Sequence, residues 1–253
     1  MTNQTDLSHL MRDCLKELHL PAVLGSYEKL ARMAVQETLS YERYLYELME
    51  KERETRRNNR TERLLKISRL PLEKKFANFD LKRLPRKISQ MVATLREGSF
   101  INRTENILAF GNPGSGKTHL LCALAQELIR EKGIKVYYSP CSLLVQELLI
   151  AKKDLKLAQT LKKIARNDLL IIDDIGYVQQ SREEMEVLFT LLADRYEKGS
   201  IMLTSNLVFS KWEKIFKDPM ITAAAIDRLV HHSVILELNI RSYRIENAGK
   251  NKN

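Results

Sequence analysis

The stretch from Phe110 to Leu121 reads FGNPGSGKTHLL, which places GxxxxGK and a hydroxyl residue over Gly111 to Thr118. Glycines at Gly111, Gly114 and Gly116 permit a tight backbone path that turns successive N–H groups toward one anion at a helix start. Asn112, Pro113 and Ser115 fill the loop and His119 follows it directly. In that setting the Lys117 ammonium reaches the β- and γ-phosphates of a nucleotide, and the Thr118 hydroxyl is a ligand for magnesium. The chemistry implied is the binding of ATP and Mg2+, with every position from Gly111 to His119 close to the nucleotide.

Downstream, LLIIDD ends an apolar run in two carboxylates. A strand ending this way sets Asp173 beside the magnesium and leaves Asp174 to polarise an attacking water as general base. The second carboxylate favours hydrolysis by water over transfer to another acceptor. Asn206 closes the next apolar run, SIMLTSN, where its amide can hold the same water or the γ-phosphate. Arg228, in AAAIDRLVHH, offers a guanidinium to the γ-phosphate, and its late position favours supply to a neighbouring subunit. Each has a plainer reading: a glycine-rich turn, a loop start after a buried strand, a solvated arginine on a helix. Their order along one chain weighs toward the site.

These residues need elements to hold them. From Asn106 onward, short apolar runs (NILAFG, KVYYS, DLLIIDD, SIMLTSN, SVILELN) alternate with helical stretches, a pattern that predicts a parallel sheet covered on both faces. Before it, Leu7, Leu10, Met11, Cys14, Leu15 and Leu18 fall at helical spacing with Pro21 as the expected end. Further helices are expected from about Ala22 to Gln36 and from Ser40. The stretch ISRLPLEKKFANFDLKRLPRK breaks the helical period at Pro71 and Pro85 and reads as a connector, pinned to the following domain by Phe76 and Phe79. The domains expected are an all-helical one over 1–66, a basic connector over 67–105, the nucleotide-binding core over 106–246 and a tail over 247–253.

The 253 residues are 44% hydrophobic, enough for a core. Fourteen basic residues against five acidic ones between Lys51 and Lys87 carry +9 of the net +10. The three cysteines lie far apart, and the five histidines pair only at His231 and His232, so spacing supports neither a disulfide framework nor a zinc site. No apolar run approaches the roughly 18 residues of a membrane span, and a soluble cytoplasmic protein is expected.

The loop, LLIIDD, LTSN and the DRL helix, in this order, resemble the AAA+ ATPases of the initiator and helicase-loader clade. The segment DRYEKGSIMLTSNLVFSKWEKIFKDPMITAAAIDRLVHHSVILELNIRSYRIE is similar to the IstB family of transposition helper ATPases. The resemblance runs from about Phe76 to Glu246 and extends more loosely to the helical start. It implies a three-layer α/β sandwich around a five-stranded parallel sheet; many members add a C-terminal lid domain, which is not expected here because little sequence follows Asn239. It makes Gly111–Thr118 Walker A, Asp173 and Asp174 Walker B, Asn206 sensor 1 and Arg228 an arginine finger in trans. Arg244 of SYR becomes a sensor-2-like nucleotide contact on the resemblance alone. Many members carry Glu at position 174, so Asp174→Glu is expected to leave turnover intact.

Two basic clusters invite DNA phosphates. Lys74, Lys75 and Arg83 lie in the connector, and AKKDLKLAQTLKKIAR holds six basic residues against one acid, with Lys152, Lys153 and Lys156 the candidate contacts. Both can equally be solvated faces. No base-reading motif accompanies them, so binding is expected to be largely independent of sequence. The resemblance implies an ATPase that forms a ring or helical homo-oligomer on duplex DNA and recruits its cognate transposase, hydrolysing ATP to ADP and phosphate with magnesium. The alternative is a replicative helicase loader favouring single strands. A small-molecule kinase has no use for paired acids followed by Asn206 and Arg228.

Overall fold

A computed structural model of the chain describes residues 4–176, 181–216, 218–240 and 242–243. Arg244 and the tail over 247–253 lie outside the described residues. The chain divides into two compact units, Met1–Arg63 and Leu64–Asn253.

The first unit is built from α1 (Gln4–Glu17), α2 (Pro21–Gln36) and α3 (Tyr41–Ile67), whose last turn belongs to the second unit. Pro21 opens α2 instead of merely closing α1, since its missing N–H costs nothing in a first turn. Leu20 has no side chain to cap that turn. Glu52 of α3 does so, its Oε2 accepting from the amides of Ala22 at 2.9 Å and Val23 at 3.2 Å. Desolvation pushes the Glu52 carboxyl up, but the Arg56 guanidinium and those two amides outweigh it and leave the group below the usual carboxylate range. The small core is Leu15, Val23 and Leu48, with Leu20, Leu24, Tyr27, Leu30 and Tyr44 packed on it.

The second unit opens with the stretch that reads as a connector. It is structured throughout its middle: two 3-10 turns (Phe76–Asn78 and Leu81–Arg83) precede α4 (Arg86–Arg96) and α5 (Ser99–Asn102). Ile88, Val92 and Leu95 repeat at four and three residues, so one stripe of α4 is apolar, and it is buried with Leu70, Leu84 and Phe100. Phe76 and Phe79 pack against the same core, as expected. The prolines punctuate this segment without loosening it from the unit.

Then follow β1 (Asn106–Phe110), α6 (Lys117–Lys132), β2 (Val136–Pro140), α7 (Cys141–Lys153), α8 (Leu157–Ala165), β3 (Leu169–Ile175), α9 (Arg182–Arg195), β4 (Ser200–Ser205), α10 (Glu213–Phe216), α11 (Pro219–Val230) and β5 (Ser233–Glu237). The strands form one parallel sheet in the order β2-β3-β4-β1-β5. Alternate residues of β1 enter opposite layers: Ile107 and Ala109 pack with Leu120 and Leu124 of α6, Leu108 and Phe110 with Leu144 of α7, Leu188 of α9 and Leu229 of α11. Burial on both faces is why these strands are apolar without alternation.

Two buried polar residues fix the strand starts. The Arg195 guanidinium at the end of α9 donates to the carbonyls of Ile164, Asn167, Asp168 and Ser200, and desolvation lowers its pKa to about 10. Asn106 at the head of β1 donates through its side chain to Leu229 O at 3.1 Å and through its amide to His232 O at 2.7 Å. Cys14, Cys122 and Cys141 form no disulfide among the described residues, and burial raises Cys122 to about 12. Among the described residues no helix is long and apolar enough to cross a membrane.

Candidate nucleotide site

The loop from Gly111 to Gly116 joins β1 to α6, at the carboxyl end of the sheet where open α/β folds bind ligands. Its glycines are needed for two reasons. Gly111, Gly114 and Gly116 have φ of +148°, +79° and +92°, a region that side chains disfavour. Neighbours also press on them: a Cβ at Gly111 would sit 2.3 Å from Leu238 O, and one at Gly114 2.1 Å from Ser242 Oγ. The segment after β5 thus lies along the loop, with the Tyr243 amide donating to Gly114 O at 3.0 Å.

Lys117 is 94% buried and its ammonium donates to Gly111 O at 2.8 Å, Asn112 O at 2.9 Å and Asn206 Oδ1 at 2.6 Å. The Asn206 amide in turn donates to Asp174 Oδ1 at 3.0 Å. A single line therefore joins the loop lysine, the asparagine at the end of β4 and the second acid. The first acid is held separately. Asp173 Oδ1 accepts from Thr118 Oγ1 and Thr204 Oγ1, both at 2.7 Å, and its Oδ2 accepts from the Tyr138 hydroxyl at 2.8 Å. Burial first, then the Asp173 carboxylate, pushes Tyr138 well above the ordinary tyrosine range.

Adjacent residues of a strand point to opposite faces, so two neighbouring acids in one site need an explanation. A β-bulge supplies it. Ile172 pairs with Leu203 and Ile175 with Ser205, which leaves Asp173 and Asp174 together opposite Thr204. Asp174 takes φ +64°, and its amide donates to Thr204 Oγ1 at 2.7 Å. That one hydroxyl serves both acids. Bulges of this kind re-aim side chains beside active sites.

The left-handed backbone changes the expectation for position 174. Aspartate tolerates this region through its short polar side chain, whereas longer residues pay more strain there. We therefore expect Asp174→Glu to lower turnover, reversing the reading from sequence. Strain near 1 kcal/mol and a displaced carboxylate together give about a tenfold fall in kcat. Phosphate release at saturating ATP measures this; an unchanged kcat contradicts it.

The remaining candidates fall in three places. Asn112 and Pro113 are exposed on the loop. His119 stacks edge-on to Phe79 with centroids 5.2 Å apart, and its Nε2 lies 3.0 Å from Lys75 O. Beside the loop opens a cavity of about 250 Å3, lined on its far side by Lys74, Asn78, Phe79, Asp80, Arg83 and Tyr243. The Arg83 guanidinium lies over the Tyr243 ring at 5.2 Å. Lys74 and Arg83, read from sequence as DNA contacts, thus line the same cleft as the loop. Lys75 is exposed nearby.

Lys153 and Lys156 are exposed where α7 passes into α8, and Lys152 pairs with Glu186 at 3.2 Å. Arg228 on α11 is apart from the joined acids: among the described residues it donates to Ala224 O at 3.0 Å and stacks over Phe189 at 5.1 Å. Tyr138 and Thr204 are the residues that sequence reasoning missed. Thr204 lies in β4 two residues before Asn206, which directly follows the strand, and that spacing was a usable signal.

The pocket fits a nucleotide and its metal. Among the described residues Ser115 Oγ is buried in the loop without a hydrogen-bond partner, the glycine path disfavours a Cβ, and Thr118 and Asp173 set a hydroxyl and a carboxylate 2.7 Å apart, a donor set suited to magnesium.

The family model of IstB-like ATP binding proteins matches residues 13–251. An insertion-sequence ATP-binding protein of Sinorhizobium fredii is 38% identical, over 94% of this chain and 80% of its own. The IS21 ATP-binding protein of Pseudomonas aeruginosa is 35% identical, over 96% and 91%. The crystal structure of the DnaC helicase loader is similar with a TM-score of 0.53 at 19% identity, over 61% of this chain and 89% of that one. The shared fold is the P-loop AAA+ α/β sandwich that the resemblance implies.

Proposed function

This chain belongs to the IstB-like ATP-binding proteins, and from that premise we propose that it is an ATPase whose ATP-bound subunits assemble on duplex DNA and present it to a transposase. The observation that carries the ATPase reading is the pair of acids in one bulge, joined through Asn206 to Lys117. The transposase partner rests on the names of the relatives, which are insertion-sequence proteins.

In this reading the loop amides and the Lys117 ammonium hold the phosphates, and Lys117 exchanges carbonyl partners for phosphate oxygens. Phe79 and the Arg83–Tyr243 pair offer aromatic and cationic faces to the base, so we assign Lys74 and Arg83 to nucleotide, not DNA. Thr118 and Asp173 would hold magnesium, which neutralises developing phosphate charge. Tyr138 and Thr204 keep the Asp173 carboxylate oriented. Asn206 holds Asp174 for the attacking water until γ-phosphate competes for Lys117. Arg228, outside this line within its own chain, is proposed to complete the site of an adjacent subunit, and Arg244 keeps its proposed nucleotide contact. Such a bridge stabilises only the assembled, ATP-bound state.

Lys153 and Lys156, with Lys152 behind its exposed pair with Glu186, are the proposed DNA contacts. Fluorescence anisotropy with equal lengths of duplex and single-stranded DNA tests this. Duplex binding with ATP and its loss with ADP are expected. Replacing Lys153 and Lys156 by alanine is expected to flatten the slope of log affinity against log salt by about 2. A clear preference for single strands instead favours a helicase loader.

A further inference from the structure

Three side chains distant from one another in sequence meet at the far end of α11. Glu197 lies in the turn between α9 and β4, while His231 and His232 lie between α11 and β5. One ligand atom from each falls within 4.8 Å of the others. The spacing of histidines alone gave no zinc site, because the third donor is a carboxylate that only the fold brings in. We infer that Glu197, His231 and His232 bind a divalent transition metal of the zinc class.

Two imidazoles and one carboxylate suit Zn2+, Co2+ or Ni2+, and leave a fourth position to water. Tetrahedral bonds of about 2.0–2.1 Å set donors about 3.3 Å apart, so atoms that stand within 4.8 Å of one another close by at most about 1.5 Å, a movement within reach of three exposed side chains.

The backbone beneath these side chains is held by buried hydrogen bonds. Glu197 has φ +57°, uncommon for a residue with a side chain, and it follows Arg195 by two positions. Arg195 is locked by its four carbonyls, and its own carbonyl accepts from the Lys198 and Gly199 amides at 3.0 and 3.2 Å. On the other side Asn106 grips Leu229 O and His232 O. An outlying backbone angle held by buried neighbours is a reason to look for function.

The Tyr196 hydroxyl lies 2.9 Å from His231 Nδ1, so the imidazole is aimed and Nε2 is the atom left for a metal. A partner on the second nitrogen is the usual support of a ligating histidine. The two imidazoles lie with centroids 4.1 Å apart, close enough for one ion. Glu105, whose carboxyl is influenced by His232 as well as by Arg103, adds negative charge nearby. An ion here would tie the α9–β4 turn to the α11–β5 junction, three residues beyond Arg228, and so stiffen the helix that carries it.

The test uses untagged full-length protein stripped of metal, titrated with Zn2+ by calorimetry, with Co2+ absorption as a second probe. One Zn2+ per chain is expected, lost in His231→Ala/His232→Ala and weakened about tenfold in Tyr196→Phe. Asp173→Asn, which alters the magnesium site, is expected to leave this Zn2+ in place. Thermal melts without metal check that each variant folds. Absence of binding in the wild-type protein, or binding that survives the double histidine variant, overturns the inference.

Discussion

Lys117→Ala is expected to reduce ATP hydrolysis at least a hundredfold and to weaken ATP binding in parallel. The ammonium is buried among Gly111 O, Asn112 O and Asn206 Oδ1, an arrangement that a triphosphate would convert into charge-assisted bonds. Removing one preorganised donor from developing phosphate charge costs about 10²–10³ in rate. The loss should be larger here because the same lysine anchors Asn206, and through it Asp174. Binding of a fluorescent ATP analogue and steady-state phosphate release measure the two effects. Retained turnover would remove the loop lysine from the chemistry.

Arg228→Ala is expected to cut turnover by about 10³ or more while leaving ATP affinity within a few-fold, as for arginine fingers that act on the transition state. Within the chain Arg228 stacks on Phe189 and is not joined to the acids, so the substitution spares the subunit's own nucleotide cradle. Supply in trans makes a sharper claim. Mixing Arg228→Ala with Lys117→Ala, each inactive alone, should restore hydrolysis, because the second subunit lends its arginine to the intact loop of the first. Mixtures that stay inactive would argue for a role within one chain.

Much of the site was legible because its chemistry is local. The phosphate loop is fixed by three glycines whose left-handed angles no other residue takes cheaply, and the spacing to Lys117 and Thr118 is set by one helix turn. The strands were legible because burial on both faces leaves β1, β3 and β4 short apolar runs, and β5 at the sheet edge keeps the same pattern with less burial. The bulge was not, since nothing in LLIIDD reports that Thr204, on another strand, faces two residues at once. Tyr138 read only as part of an apolar run, yet its hydroxyl reaches Asp173 from the neighbouring strand.

The connector misled for a physical reason. Prolines at 71 and 85 break the helical period, but a broken period does not prevent burial, and the stripe of α4 is short enough to be lost among charges. Charge in sequence carries no direction, and only the fold places Lys74 and Arg83, read as DNA contacts, in the lining of the cleft beside the loop. Glu197 lies 34 residues before His231, so no spacing rule could join them.

The central claim is that ATP licenses an assembly on duplex DNA. Sedimentation velocity of the protein with a labelled duplex, in ATP, in ADP and without nucleotide, tests it most directly. The label is expected to move into a fast, many-subunit species only in ATP, and Lys117→Ala to leave it slow under all three conditions. A fast species that forms equally in ADP, or a protein that remains a monomer on DNA in ATP, would contradict it.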